Sequence, residues 1–149
     1  MGFANFHLAV FNFSKAIAPM NDPKMADFVA ASPRLNALAE ASPGFVWRYN
    51  PIGADSFDIR VFEDPLIYMT LSVWESVETL KTYVFKSGHR SVYDQKSKWF
   101  IPLEPHLVLW WIPEGTVPSV IEAKKRLELL KKWGPTKDAF HFTNIFEPG

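Results

Sequence analysis

Apolar and polar positions fall into short blocks whose period changes along the chain, with proline and glycine mostly between them. Residues 7–13 are apolar on both faces, Leu8 and Val10 on one and Ala9 and Phe11 on the other, which predicts a strand covered from both sides. Asn21-Asp22-Pro23 then opens a helix, with Asp22 as its cap and Pro23 in the first turn, where the missing N–H costs nothing. Met25, Phe28, Val29, Leu35, Leu38 and Ala39 recur at helical spacing. Pro33 is expected to kink or break this helix near Val29, and Pro43-Gly44 to end it. Residues 45–49 alternate as a strand, 50–55 form a loop, and 57–62 add a short strand. Ile67–Trp74 is a further strand, with Ile67, Met69, Leu71 and Val73 on one face. Ser76 caps a helix with Glu78 in its first turn, and residues 77–100 are predicted mostly helical with a division at Gly88. Residues 106–112 form the most hydrophobic strand. Ser119 and Glu122 have the spacing of a capping box. They open a last helix with a stripe of Val120, Ala123, Leu127 and Leu130, ended by Gly134-Pro135. Phe140 to Phe142 follow as a short strand or extended arm.

The order β-α-β-β-α-β, then a helix, is that of an α+β, ferredoxin-like domain. It predicts one domain over residues 1–149, with a core of 5–113 and a C-terminal helical extension over 119–149. Two helices cover one face of such a sheet. The other face needs a cover, and a homodimer pairing sheet to sheet is expected to supply it through Leu8, Val10, Leu107 and Leu109.

Composition narrows the function classes. Sixteen basic and sixteen acidic residues leave no net charge, against a general nucleic-acid surface. With no cysteine, thiolate metal sites, disulfides and cysteine nucleophiles are excluded. The longest apolar run is residues 107–112, far short of the roughly 20 needed to cross a membrane. No basic segment precedes an apolar one at the N-terminus, so a cytoplasmic protein with no membrane partner is expected. Aromatic content stands out, with 13 Phe, 6 Trp and 4 Tyr. That surface either fills a dense core or lines an apolar pocket for a small hydrophobic or aromatic ligand.

Of the four histidines, none has metal-ligand spacing, and neither a glycine-rich phosphate loop nor a nucleophile elbow is present. His89 lies at helical offsets from Phe85, Val92 and Trp99, so it points toward apolar surroundings. A histidine there is either a core residue bonded to the backbone or a functional one, kept neutral by desolvation and suited to moving a proton. Asn12 follows Leu8 and Val10 on one strand face, where a carboxamide either orients a polar group in a pocket or satisfies a strand end. Tyr83 is about 240° from His89 around an ideal helix, so the two share a face only if the helix breaks near Gly88. Phe85, Trp47, Trp74, Trp99 and Trp110 are candidate pocket walls, each with a plain core reading beside it. Strand alternation sends Trp110 and Trp111 to opposite faces.

The run Val73-Trp74-Glu75-Ser76, then Leu80, Val84-Phe85-Lys86 and His89, resembles the dimeric α+β barrel superfamily. That superfamily includes antibiotic-biosynthesis monooxygenases and staphylococcal-type haem-degrading monooxygenases. The resemblance implies that His89 matches an axial haem ligand and Asn12 a strand-one asparagine. Tyr83 stands where the haem-degrading members have a tryptophan, and the helix is shorter by about one turn. Haem is therefore expected to bind weakly or not at all, with cofactor-free chemistry ahead of haem degradation. Over nearly the whole chain the sequence is similar to domain-of-unknown-function family 3291, of the same superfamily. The carrying segments include Asp22-Pro23-x-Met25-Ala26-x-Phe28-Val29-Ala30, Ser42-Pro43-Gly44-Phe45-Val46-Trp47-Arg48 and Pro105-His106-Leu107-Val108-Leu109-Trp110-Trp111. The implied function is an enzyme that oxygenates, cyclises or isomerises an aromatic or polyketide-like substrate without a nucleotide cofactor. His89 would be the base, with Asn12 and Tyr83 holding an enolate or phenolate oxygen. The alternatives are a haem or hydrophobic-ligand carrier without turnover and a structural dimer with a closed core.

Overall fold

The computed structural model describes residues 5–19, 21–49, 66–86, 98–101 and 107–148. Strand β1 (Phe6–Ala16) is followed by a short 3-10 turn (Pro23–Met25), α1 (Ala26–Ala41), β2 (Phe45–Arg48) and β3 (Ile67–Trp74). Then come α2 (Val77–Lys86), β4 (Phe100–Ile101), β5 (Leu107–Pro113) and α3 (Val120–Trp133). The sheet is antiparallel, with β3 between β2 and β1. The far edge of β1 pairs with β5 over Phe6 to Asn12 and with β4 at Lys15 and Ala16. With β5 as the fourth long strand, this is the ferredoxin-like α+β arrangement.

Local signals account for most element ends. Asp22 Oδ1 accepts from the Lys24 amide at 2.8 Å. Ser76 Oγ accepts from the Thr79 amide at 3.1 Å, and Ser119 Oγ accepts from the Glu122 amide at 3.0 Å. Each cap satisfies a donor that the first helical turn leaves open. Gly134 takes φ 75° and ends α3 through its amide on the Leu130 carbonyl.

Three expectations are corrected. Of the expected kink or break at Pro33, the break does not occur, because α1 runs as one helix from Ala26 to Ala41. The Pro33 side chain is exposed, so its ring displaces no core packing and only one helical amide donor is lost. The helix predicted to reach residue 100 does not. Phe100 pairs with Ala16 in the sheet, and the Trp99 carbonyl accepts from the Ile17 amide at 2.9 Å. Backbone pairing with β1 overrides the apolar spacing that suggested a helix. The expected strand over 57–62 lies outside the described residues.

The third correction concerns the sheet faces. Leu8, Val10, Leu107 and Leu109 are not an uncovered face, because they pack under Ala39 of α1 and Val77 and Leu80 of α2. The opposite face carries Ala9, Phe11, Phe13, Leu71, Val73, Val108, Trp110 and Ile112. It is covered by Val120, Ala123, Leu127 and Leu130 of α3, the stripe expected from the sequence. The chain thus covers the residues assigned to a partner with α1 and α2, and folds its own C-terminal helix onto the opposite face.

Candidate functional site

Strand registers lay out the helix-covered face as a grid. One row across the sheet is Phe45, Trp74, Leu8 and Trp111, and the next is Arg48, Ser72, Val10 and Leu109. The third is Thr70, Asn12 and Leu107, and the fourth is Tyr68 and Ser14. Two apolar clusters flank the middle rows. At one end Trp74 stands edge-on to Phe45, at 5.5 Å between centroids, and stacks on Tyr83 of α2 at 5.1 Å. At the other end Phe28 of α1 packs edge-on to Tyr68 at 5.2 Å and lies 5.6 Å from Trp99. Between them runs a polar strip of Arg48, Ser72, Thr70, Asn12 and Ser14.

This strip is partly open. Thr70 is exposed, although it sits in the middle of a central strand, and Asn12 is half-buried. Cross-strand partners such as Asn12 and Thr70 lie about 5 Å apart at Cα, so one small polar group can reach both. Ser72 is committed to the scaffold: its hydroxyl accepts from the Trp74 indole N–H at 3.0 Å, which fixes that ring. Arg48 Nε donates to Glu40 Oε2 of α1 at 3.1 Å, tying β2 to the end of the helix.

Tyr83 is held as a neutral phenol. Burial pushes its pKa up to about 12, the neighbouring Tyr68 adds to the rise, and the positive Arg48 opposes it. At neutral pH it is therefore a hydrogen-bond donor and not a base. Among the described residues no group of three or more His, Asp or Glu could hold a metal ion.

The structure puts Trp74 and Tyr83 in contact on this face, Asn12 two rows further along the sheet, and Trp99 at the far end. Trp99 is on a turn before β4 and not on the helix expected for it. Trp47 and Trp110 lie on the other face of the sheet. Trp110 is fully buried under α3, with the Arg126 guanidinium 5.8 Å from its ring. It is a core residue there and does not line the strip. His89 and the side chain of Phe85 lie outside the described residues. Arg48, Thr70 and Tyr68 were missed in the sequence. The signal was present for two of them: alternation in β3 puts Tyr68, Thr70 and Ser72 opposite Ile67, Met69, Leu71 and Val73. Arg48 carried no such signal, because a register shift between Phe45 and Trp47 turns it to this face.

A family model described as a domain of unknown function (DUF3291) matches residues 7–149. The chain belongs to this family. No curated protein matches it. Among solved structures it is similar to SnoaB, a cofactor-independent oxygenase from Streptomyces nogalater. That match has 16% identity and a TM-score of 0.50, covering 78% of this chain and 100% of that one. It is also similar to a conserved protein from Methanosarcina mazei Go1, at 14% identity and a TM-score of 0.51, covering 73% of this chain and 93% of that one. At these identities the likeness is one of fold.

Proposed function

We propose that this DUF3291 protein is a small-molecule enzyme that binds a planar aromatic or polyketide-like substrate against the helix-covered face of its sheet. On this reading it turns that substrate over without a bound cofactor. The observation that carries the reading is the strip itself. An amide and a hydroxyl, half-buried Asn12 and exposed Thr70, have no protein partner among the described residues and lie between two aromatic walls, open to a ligand. The walls suit a ring system, and the Asn12 amide and the neutral Tyr83 hydroxyl suit a developing enolate or phenolate oxygen. A substrate ionised in this way can itself be the reductant of dioxygen, or can close or shift a ring by proton transfer. The fold of a cofactor-independent oxygenase supports the first of these. His89, the base expected from the sequence, would take the proton.

Fluorescence quenching of the buried Trp74 by a panel of polycyclic phenols tests the proposal, with oxygen uptake measured on those that bind. Saturable quenching that Asn12→Leu weakens is expected. His89→Ala should keep the fold and the binding but cut turnover by about 10²–10⁴. If no phenol quenches wild-type protein at millimolar concentration, the reading fails. Haem is expected to give little or no Soret band on titration, because Tyr83 is stacked on Trp74 where a macrocycle would need room.

A further inference from the structure

The Arg48 guanidinium is the one charged group that the described strands present to the helix-covered face. Its side chain is only 20% exposed, and its one hydrogen bond among the described residues is from Nε to Glu40. The two terminal nitrogens, with their four N–H donors, make none among the described residues. A partly buried side chain of this kind holds its guanidinium near the face, where its donors can meet a ligand as well as water. Glu40 takes the Nε edge, so it fixes the plane of the group and leaves the terminal pair presented as a fork. The next groups on this face are Ser72, beside Arg48 in the register, and the Thr70–Asn12 pair one row on. The Tyr83 hydroxyl lies within the electrostatic reach of the same guanidinium.

We propose that Arg48 is the specificity-determining anchor of the site and that its fork takes a pair of oxygens sharing one negative charge. This deepens the ligand-binding reading above and rests on it. The substrate class then narrows from aromatic compounds in general to aromatic compounds bearing a carboxylate or an enolised 1,3-dicarbonyl. Either would lay its ring between the Trp74–Tyr83 and Phe28–Tyr68 walls while its charged oxygens meet Arg48. Glu40 keeps the cation partly neutralised when the site is empty.

The test compares the affinities of 2-naphthoate and 2-naphthamide, which share one ring and differ in charge, by tryptophan quenching. A charge-assisted bidentate contact predicts that wild-type protein prefers the acid by about 10- to 100-fold. Arg48→Gln should erase the preference while leaving the amide affinity within about twofold, and Arg48→Lys should recover only part of it. Benzoylacetone separates the two anion sources. If the enolate is the better fit, its binding should tighten as pH rises through its own pKa and exceed that of naphthoate. If the carboxylate is, naphthoate remains the tighter ligand at every pH. Glu40→Gln, which leaves the fork in place, should keep the preference and guards against loss of fold in the Arg48 variants. Equal binding of acid and amide by wild-type protein overturns the inference and leaves the ligand site standing. A preference that survives in a folded Arg48→Gln protein also overturns it. If neither naphthalene compound binds, both this inference and the ligand-binding reading fall.

Discussion

At the scale of single residues, environment decides what each polar group on the sheet can do. Tyr83 is the clearest case. Burial raises its pKa to about 12, whereas the unfolded chain ionises this phenol near 10. Between those values the folded protein holds a proton that the unfolded chain has released. Stability from this group is therefore full below about pH 10 and is lost as pH rises toward 12. Melting temperature should be flat into the pH 9 range and then fall, and Tyr83→Phe should flatten part of that fall. A tyrosinate absorbance titration in which every tyrosine ionises near pH 10 would contradict it. Asn12 obeys the same logic from the other side. Its amide has no protein partner among the described residues, so Asn12→Leu should leave stability unchanged or raised, while ligand binding weakens.

At the scale of elements, the close approach of the β2 entry to α2 sets a steric limit. Gly44 has φ +84°, and a Cβ there would come within 2.4 Å of the Thr79 side chain. Gly115 has a similar φ of +88° but open space around it. Both pay for a left-handed conformation, about 1–2 kcal/mol in a non-glycine residue, and only Gly44 adds a clash. Gly44→Ala should lower the denaturant midpoint distinctly more than Gly115→Ala, and equal shifts would show that Thr79 gives way freely. The C-terminal helix α3 is equally testable. Leu127 is 1% exposed beneath it, so Leu127→Ala should destabilise by about 2–4 kcal/mol. A change below about 0.5 kcal/mol would mean that α3 is only loosely attached.

At the scale of the whole molecule, α3 changes the expected assembly. It covers the β1 and β5 part of the sheet's second face. Trp47, Tyr49, Ile67 and Met69, toward β2 and β3, stay only partly buried. A homodimer is the proposed state, and these four residues are its proposed contact, in place of Leu8, Val10, Leu107 and Leu109. Light scattering should give twice the chain mass, and Ile67→Glu should shift it toward the monomer. A wild-type monomer at micromolar concentration would remove the proposal. The C-terminal arm is built into the same body: Phe140 pairs with Leu109 through two backbone hydrogen bonds, of 2.7 and 2.9 Å, and is fully buried. Among the described residues no helix is long and apolar enough to cross a membrane.

The sequence by itself determined the elements whose causes are local. Ile67–Trp74 alternates, Asp22, Ser76 and Ser119 cap, Gly134 terminates, and the stripe of Val120, Ala123, Leu127 and Leu130 repeats at helical period. Each is set by residues within a few positions of one another, so a one-dimensional pattern contains it. The split β-α-β-β-α-β order followed from those pieces. Asn12 was legible as a polar residue on an apolar strand face, whereas Tyr83 was singled out by resemblance and its stacking on Trp74 was not legible. Which face α3 would cover, and so which apolar residues were left for a partner, depended on how the chain returns after β5. Turning Arg48 toward Ser72 needed a register shift in β2. Joining Thr70 to Asn12 needed the antiparallel pairing of strands almost 60 positions apart in the chain. Those contacts are non-local, and they are decided by which packing buries the most apolar surface while leaving the fewest polar groups unpaired.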